Sequence, residues 1–127
     1  MPHKELVIGA LFAALCAAAI LNIHYIRRLT ADVTALADRA AEYAQAGEWE
    51  GAERAVEDAC ALWRANDQHT HIVLRHSSIE AADVALNELM GEIYARDSGR
   101  VRGAAENVYS ALSGIAEIER IRLGSIF

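Results

Sequence analysis

From Leu6 to Ile26 the chain runs 21 residues without a charge. As an α-helix this run is roughly 31 Å long, about the thickness of a bilayer's hydrocarbon core. A stretch of this kind has three possible fates: it stays in a membrane, it is removed as a leader, or it fills the middle of a soluble core. Lys4, the apolar Leu6–Leu15 and the small Ala17 and Ala19 have the layout of a signal peptide with an A-x-A site. The run continues through Ile20, Leu21 and Ile23, however, beyond the usual signal core. Arg27 and Arg28 then stop it abruptly, and Tyr25 stands where interfacial aromatics stand. The expectation is a retained transmembrane anchor over residues 1–28, holding a domain of residues 29–127 at one membrane face. Asn22 and His24 fall near the end of the run, where they reach the headgroups. Cys16 follows Leu15 rather than a small residue, which argues against a lipidated cysteine.

The charges flanking the run point both ways on orientation. Lys4 is offset by Glu5, whereas Arg27 and Arg28 are not offset, so a strict count of basic residues favours a cytoplasmic domain. A short tail with an early lysine is instead the form of a signal-anchor, which exports the domain behind it. The second form is favoured, giving a single-pass cell-membrane protein with an extracytoplasmic domain.

Residues 27–127 carry 11 basic and 17 acidic side chains. The acid is concentrated early, at Asp32, Asp38, Glu42, Glu48, Glu50, Glu53, Glu57 and Asp58, against only Arg39 and Arg54. Phosphate backbones need a basic surface, so nucleic acid is excluded as a partner, and that acidic face is unsuited to anionic lipid. Cys60 is the only cysteine outside the apolar run, so no disulfide forms within the domain.

The one proline is Pro2, alanine is abundant, and no stretch alternates apolar and polar residues for long. Helices throughout are expected. Leu29, Val33, Leu36, Ala40 and Tyr43 make one stripe, predicting a helix over about 29–46, free to run on from the membrane segment, with Gly47 as its carboxy-terminal cap. Trp49, Ala52, Val56, Ala59 and Trp63 make a second, in a helix over about 48–74 that the polar stretch after Asn66 weakens. Ser77 with Glu80 reads as a capping box opening a third helix, over about 77–97, with Ile79, Ala82, Leu86, Leu89 and Ile93 inward. Asp97-Ser98-Gly99 reads as a turn. The fourth helix, about 99–123, has Val101, Ala105, Val108, Leu112 and Ile115 inward. After Ile115 the spacing changes to Ile118, Ile121 and Leu123, so this end packs differently or frays, and the chain closes on an apolar Gly124-Ser-Ile-Phe127.

Ala40, Tyr43, Gly47, Trp49, Ala52, Val56 and Ala59 are spaced like the turn of a tetratricopeptide hairpin, where small residues let two helices approach and aromatics fill the gap beside them. No 34-residue period is present. A self-match at an offset of 52 aligns Gly47, Trp49, Ala52, Val56 and Ala59 with Gly99, Val101, Ala104, Val108 and Ala111. The fold class expected is all-α: an N-terminal transmembrane helix, then a four-helix antiparallel bundle of two TPR-like hairpins.

A second set of landmarks covers nearly the whole chain. The apolar opening is followed by Glu48-Trp49-Glu50-x-Ala52, Trp63, His76-Ser-Ser-Ile79-Glu80-Ala-Ala, Leu86-x-x-Leu89 and Asp97, and by a closing Ser-Ile-Phe. This pattern resembles DUF4363, a family of small uncharacterised bacterial proteins, departing from it at Ser78 and Ser125. The resemblance implies a membrane-tethered helical domain and no assigned activity.

For chemistry, the histidines are the first place to look. His69, His71 and His76 lie within eight residues, and His76 and Glu80 are four apart, on one helical face. A transition-metal site could be drawn from His69, His71, His76 and Glu80. His69 and His71, two apart, point away from each other on a helix, and no cysteine pair or H-E-x-x-H motif supports them. A role for His76 at the turn and a solvated His69 are the plainer readings, and titration near neutrality is a further one. No nucleophile elbow, no glycine-rich phosphate loop and no distinct carboxylate pair appears. The expectation is a protein without catalysis or cofactor. It would act as an anchored interaction module, scaffold or assembly factor, docking a protein partner through Trp49, Trp63 and His76 or self-associating through Gly9, Ala13 and Ala17. The rival is a membrane-surface binder of a metal ion or small ligand at the histidines.

Overall fold

The computed structural model describes the backbone of residues 2–126 and the side chains of all of these but Pro2, Val73, Leu123 and Ile126. Phe127, the last residue of the apolar close, lies outside the described residues. Among the described residues five helices follow one another: α1 (Pro2–Gln45), α2 (Trp49–Ala65), α3 (Asp67–Val73), α4 (His76–Tyr94) and α5 (Ser98–Ile126). Among the described residues there is no strand. α1 packs on α2 and α5, and α4 completes the ring between them, so α1, α2, α4 and α5 form an up-down-up-down bundle.

The apolar run and the first bundle helix are one element. α1 is 44 residues long without a break at the expected boundary near residue 28. Its amino-terminal part stands clear of the rest. Leu6, Val7, Ile8, Leu11, Phe12, Leu15 and Leu21 are all exposed, and burial begins at Ile23 and is complete at Ile26. Among the described residues no other helix covers this run. Ile23 and Ile26, counted with the apolar run, belong to the bundle instead.

The inward stripes form largely as the spacing requires, except that in α1 Ala37 and Ala44 are enclosed while the expected Leu36 and Tyr43 are half-buried. Val33, Ala37, Ala40, Ala52, Val56, Ala59, Leu89, Ile93, Val101 and Leu112 are fully enclosed. Such a core is rich in alanine, which brings the α1 and α2 backbones close together. Gly51 carries this furthest: a methyl group added there would sit 3.0 Å from Tyr43 Cδ1. That is the aromatic-beside-small contact of a TPR-like hairpin, made by a glycine that the spacing pattern leaves unassigned.

The two hairpin turns share one backbone solution. After α1, Gly47 takes φ +77° while the Glu48 amide bonds back to the Tyr43 carbonyl at 2.9 Å. After α4, Arg96 takes φ +55° while the Asp97 amide bonds back to the Glu92 carbonyl at 3.1 Å. Both are Schellman closures. Their offset is 49 residues, as is that of the helix starts Trp49 and Ser98. The 52-residue self-match therefore superposes helical stripes one turn out of step with the hairpins. At 49, Ala52, Val56, Ala59 and Trp63 align with Val101, Ala105, Val108 and Leu112, all buried. Gly99 is consequently helical rather than a turn residue, and the second turn is Ala95–Asp97. Asp97 caps α5 by accepting the Arg100 amide at 3.2 Å.

Two further boundaries move. The helix expected over 48–74 breaks at Asn66, which closes α2 with its amide on the Trp63 carbonyl and opens α3 by accepting the Thr70 amide. Its side chain holds the break in place: Nδ2 donates to the Leu62 carbonyl at 2.8 Å, and Oδ1 accepts from the Tyr25 hydroxyl. Leu74 and Arg75 are extended, and α4 starts at His76. Arg75 is the cap residue, without a side-chain cap bond, so the Ser77–Glu80 capping box does not form. α5 continues helically past Ile115, but its inward stripe ends there apart from Glu119, and Ile118 and Ile121 face outward.

Candidate functional site

Antiparallel packing places the expected binding residues at different depths and opposite ends. Trp63 is 1% exposed and belongs to the core. Its indole Nε1 donates to Asp83 Oδ1 of α4 at 2.8 Å, satisfying the one polar atom that burial would orphan. Trp49 is half-buried beside the α1–α2 turn, whereas His76 is exposed at the other end, where α4 begins. Trp49, Trp63 and His76 therefore do not form one docking patch. The stripe runs the length of α2, partly open at its start, where Trp49 is half-buried, and enclosed from Ala52 to Trp63.

The histidines also diverge. His69 turns toward α1: its Nε2 donates to Asn22 Oδ1 at 2.9 Å, and its ring lies 4.2 Å from that of Tyr25 at a tilt of 58°. His71 donates from Nδ1 to the Asp67 carbonyl at 2.7 Å, one turn back on α3. His76 and Glu80 are exposed on α4, beyond the break at Leu74–Arg75. Among the described residues no group of three or more His, Cys, Asp and Glu side chains is placed to hold a metal, so His69, His71, His76 and Glu80 do not assemble as a ligand set. The extended pair Leu74–Arg75 turns α4 away from α3, which separates residues that an unbroken helix would have kept near one another.

What the packing does assemble is a cleft of about 340 Å³ where α3 leaves the line of α2. Cys60, Arg64, Asp67 and His71 line one side, and Asp83 and Asn87 the other, over Trp63. Arg64 reaches Asn87 Oδ1 at 3.4 Å. Cys60 is the one thiol here, and burial pushes its pKa above the ordinary 9.0, further than the Arg64 guanidinium lowers it. A thiol held protonated is the opposite of an activated nucleophile. The cleft is polar and open to solvent. Of its residues, the sequence singles out only Cys60, Trp63, His71 and Leu86. Arg64 and Asn87 are 23 residues apart and meet only through antiparallel pairing, which leaves no local signal. Asn66, which sets the cleft's geometry, has one weak signal: asparagine opening a polar Asn-Asp-Gln run is a helix-ending residue.

On the opposite side, Tyr109 of α5 is 58% exposed between two grooves. One runs past Arg27, Thr30, Thr34 and Ala116, the other past Glu42, Arg102 and Glu106, with Asp38 common to both. On α4 the Tyr94 hydroxyl donates to Glu57 Oε1 at 2.5 Å, and that bond raises its pKa above 10.0.

No curated protein and no solved structure matches the chain. A family model described as a domain of unknown function, DUF4363, matches residues 20–126, which takes in the whole bundle and only the last residues of the apolar run. The landmarks of the sequence and this match agree, and the chain belongs to the DUF4363 family.

Proposed function

We propose that this chain is a single-pass membrane-anchored helical interaction module, a scaffold or assembly factor without catalysis of its own. One observation carries the reading: the apolar start of α1 lies bare along its whole length yet continues unbroken into the bundle. Large apolar side chains left in water each forgo about 1.5–3 kcal/mol of burial, so a run of them needs a medium, and a bilayer supplies one of the right thickness. The rigid continuation then fixes the bundle against the membrane without a flexible linker. A buried, protonated Cys60 and an open cleft support binding over chemistry.

The face best suited to a protein partner is that around Tyr109, where an exposed aromatic stands between two grooves with charged rims. Aromatic anchors beside pockets dominate protein interfaces. Site-specific photo-crosslinking of the full chain in its native membrane, from Tyr109 on the α1–α5 side and from Val84 on the α4–α5 side, tests this. A discrete protein adduct from 109 that is absent at 84 supports the module. Adducts to lipid alone, or the same background from both sites, contradict it.

A further inference from the structure

The bundle has two chemically different ends. The end far from the apolar run holds both hairpin turns and the start of α2, with Glu48 and Glu50 exposed at the first turn and Arg96 and Arg100 at the second. The near end holds α3, the start of α4 and the last turns of α5. α3 is pinned there by the His69–Asn22 and Tyr25–Asn66 hydrogen bonds, within about one turn of Leu21, the last bare large aliphatic side chain of α1. α5 runs antiparallel to α1, and Ala116 shares a groove with Arg27. The helix from Ala116 to Ile126 extends about 15 Å further, past the level of Asn22.

At this level the chain exposes apolar side chains that no helix covers: Ile72 at 82%, Ile121 at 59% and Ile118 at 40%. Exposed arginines surround them, with Arg27 and Arg28 on α1, Arg75 before α4, and Arg120 and Arg122 on α5. Arg120 and Arg122 are shared with Glu117 and Glu119 at 3.0 and 3.2 Å, and Asp67 is also nearby in α3. Ala116 is level with Arg27, so Ile118 and Ile121 lie about 3 and 7 Å nearer the hydrocarbon than the Arg27–Arg28 pair, while the long side chains of Arg120 and Arg122 on the same turns reach back toward the phosphates, as at a bilayer interface.

We infer that this end of the bundle is a second membrane contact, with Ile72, Ile118 and Ile121 seated in the interfacial layer of the phospholipid bilayer and Arg75, Arg120 and Arg122 at its phosphates. The inference rests on the anchor reading of α1 and adds to it. The unbroken helix holds the bundle close to the membrane, and the second contact adds a defined tilt, which leaves the Tyr109 face and the far end presented to the aqueous side.

The test uses the full chain reconstituted in phosphatidylcholine vesicles with a minor fraction of phosphatidylglycerol. Cys16→Ala removes the accessible native thiol, and Cys60 stays because it is buried. An environment-sensitive fluorophore is placed in turn on Ile72→Cys, Ile121→Cys, Leu15→Cys and Glu50→Cys, all exposed positions. Lipids carrying nitroxides near the headgroup or in mid-chain report depth. The expected pattern is headgroup-level quenching with blue-shifted emission at 72 and 121, mid-chain quenching at 15 and none at 50. Water-like emission at either 72 or 121, with 15 still quenched, overturns the second contact and leaves the anchor standing. An unquenched probe at 15 removes the anchor, and the second contact with it.

Discussion

The Trp63 indole nitrogen lies 2.8 Å from Asp83 Oδ1, a hydrogen bond that joins α2 to α4 from inside the core. It closes the side of the ring on which the cleft opens, between the two hairpins. The ring is a large enclosed apolar body, and the carboxylate sits at the boundary between core and cleft. Truncating Trp63→Ala removes both the packing and the bond, and is expected to cost about 3–5 kcal/mol. Asp83→Ala leaves the indole N–H to water in the cleft and is expected to cost about 1 kcal/mol, at the low end for an orphaned donor. Chemical denaturation of the full chain in mild detergent checks both values. A Trp63 cost near that of Asp83 would place the ring outside the core.

The two Schellman turns differ in one residue. Gly47 occupies a left-handed position at φ +77°, and Arg96 occupies the equivalent position at φ +55° with a side chain that prefers other backbone regions. Arg96→Gly is expected to stabilise the fold, and Gly47→Ala to destabilise it, each by about 1 kcal/mol. Opposite shifts in the denaturation midpoint are the signature. Shifts of the same sign would mean that the turns are not equivalent.

Alkaline pH should loosen the bundle through two groups. Cys60 has its pKa raised above 9.0 mainly by burial, and Tyr94 has its own raised above 10.0 mainly by its bond to Glu57. While both are protonated in the folded and unfolded chain, their contribution is whole. As pH rises past these ordinary values the unfolded chain releases its protons first, so stability falls until the folded groups ionise too. The denaturation midpoint is therefore expected to hold from neutral pH to about the thiol's ordinary value and to decline above it. Cys60→Ala is expected to move the onset of the decline upward, and Tyr94→Phe to reduce what remains. An unchanged pH profile in both variants would assign the decline to other groups.

Much of the fold is legible in the residue order because the bundle is built from stripes. Ile79, Ala82, Leu86, Leu89 and Ile93 point inward as their spacing demands, and so do Val101, Ala105, Val108, Leu112 and Ile115. Gly47 marks its turn because that backbone conformation favours glycine. The second turn is hidden because Arg96 adopts the same conformation without being glycine, which draws attention to Gly99 instead. The break at Asn66 is hidden for a different reason: it depends on a hydrogen bond from Tyr25, 41 residues away. The cleft is invisible for the same cause, since Arg64, Asp83 and Asn87 meet only once α2 and α4 lie antiparallel. The histidines, close in sequence, are separated by a bend that two extended residues, Leu74 and Arg75, introduce.

All of this hangs on where the bare half of α1 resides. The most direct measurement is alkaline extraction of membranes from cells producing the intact chain, followed by mass determination of each fraction. A polypeptide of 13.8 kDa retained in the membrane pellet is the expected result. The same intact mass released into the supernatant would contradict the tether, the pose it sets and the docking module built upon it.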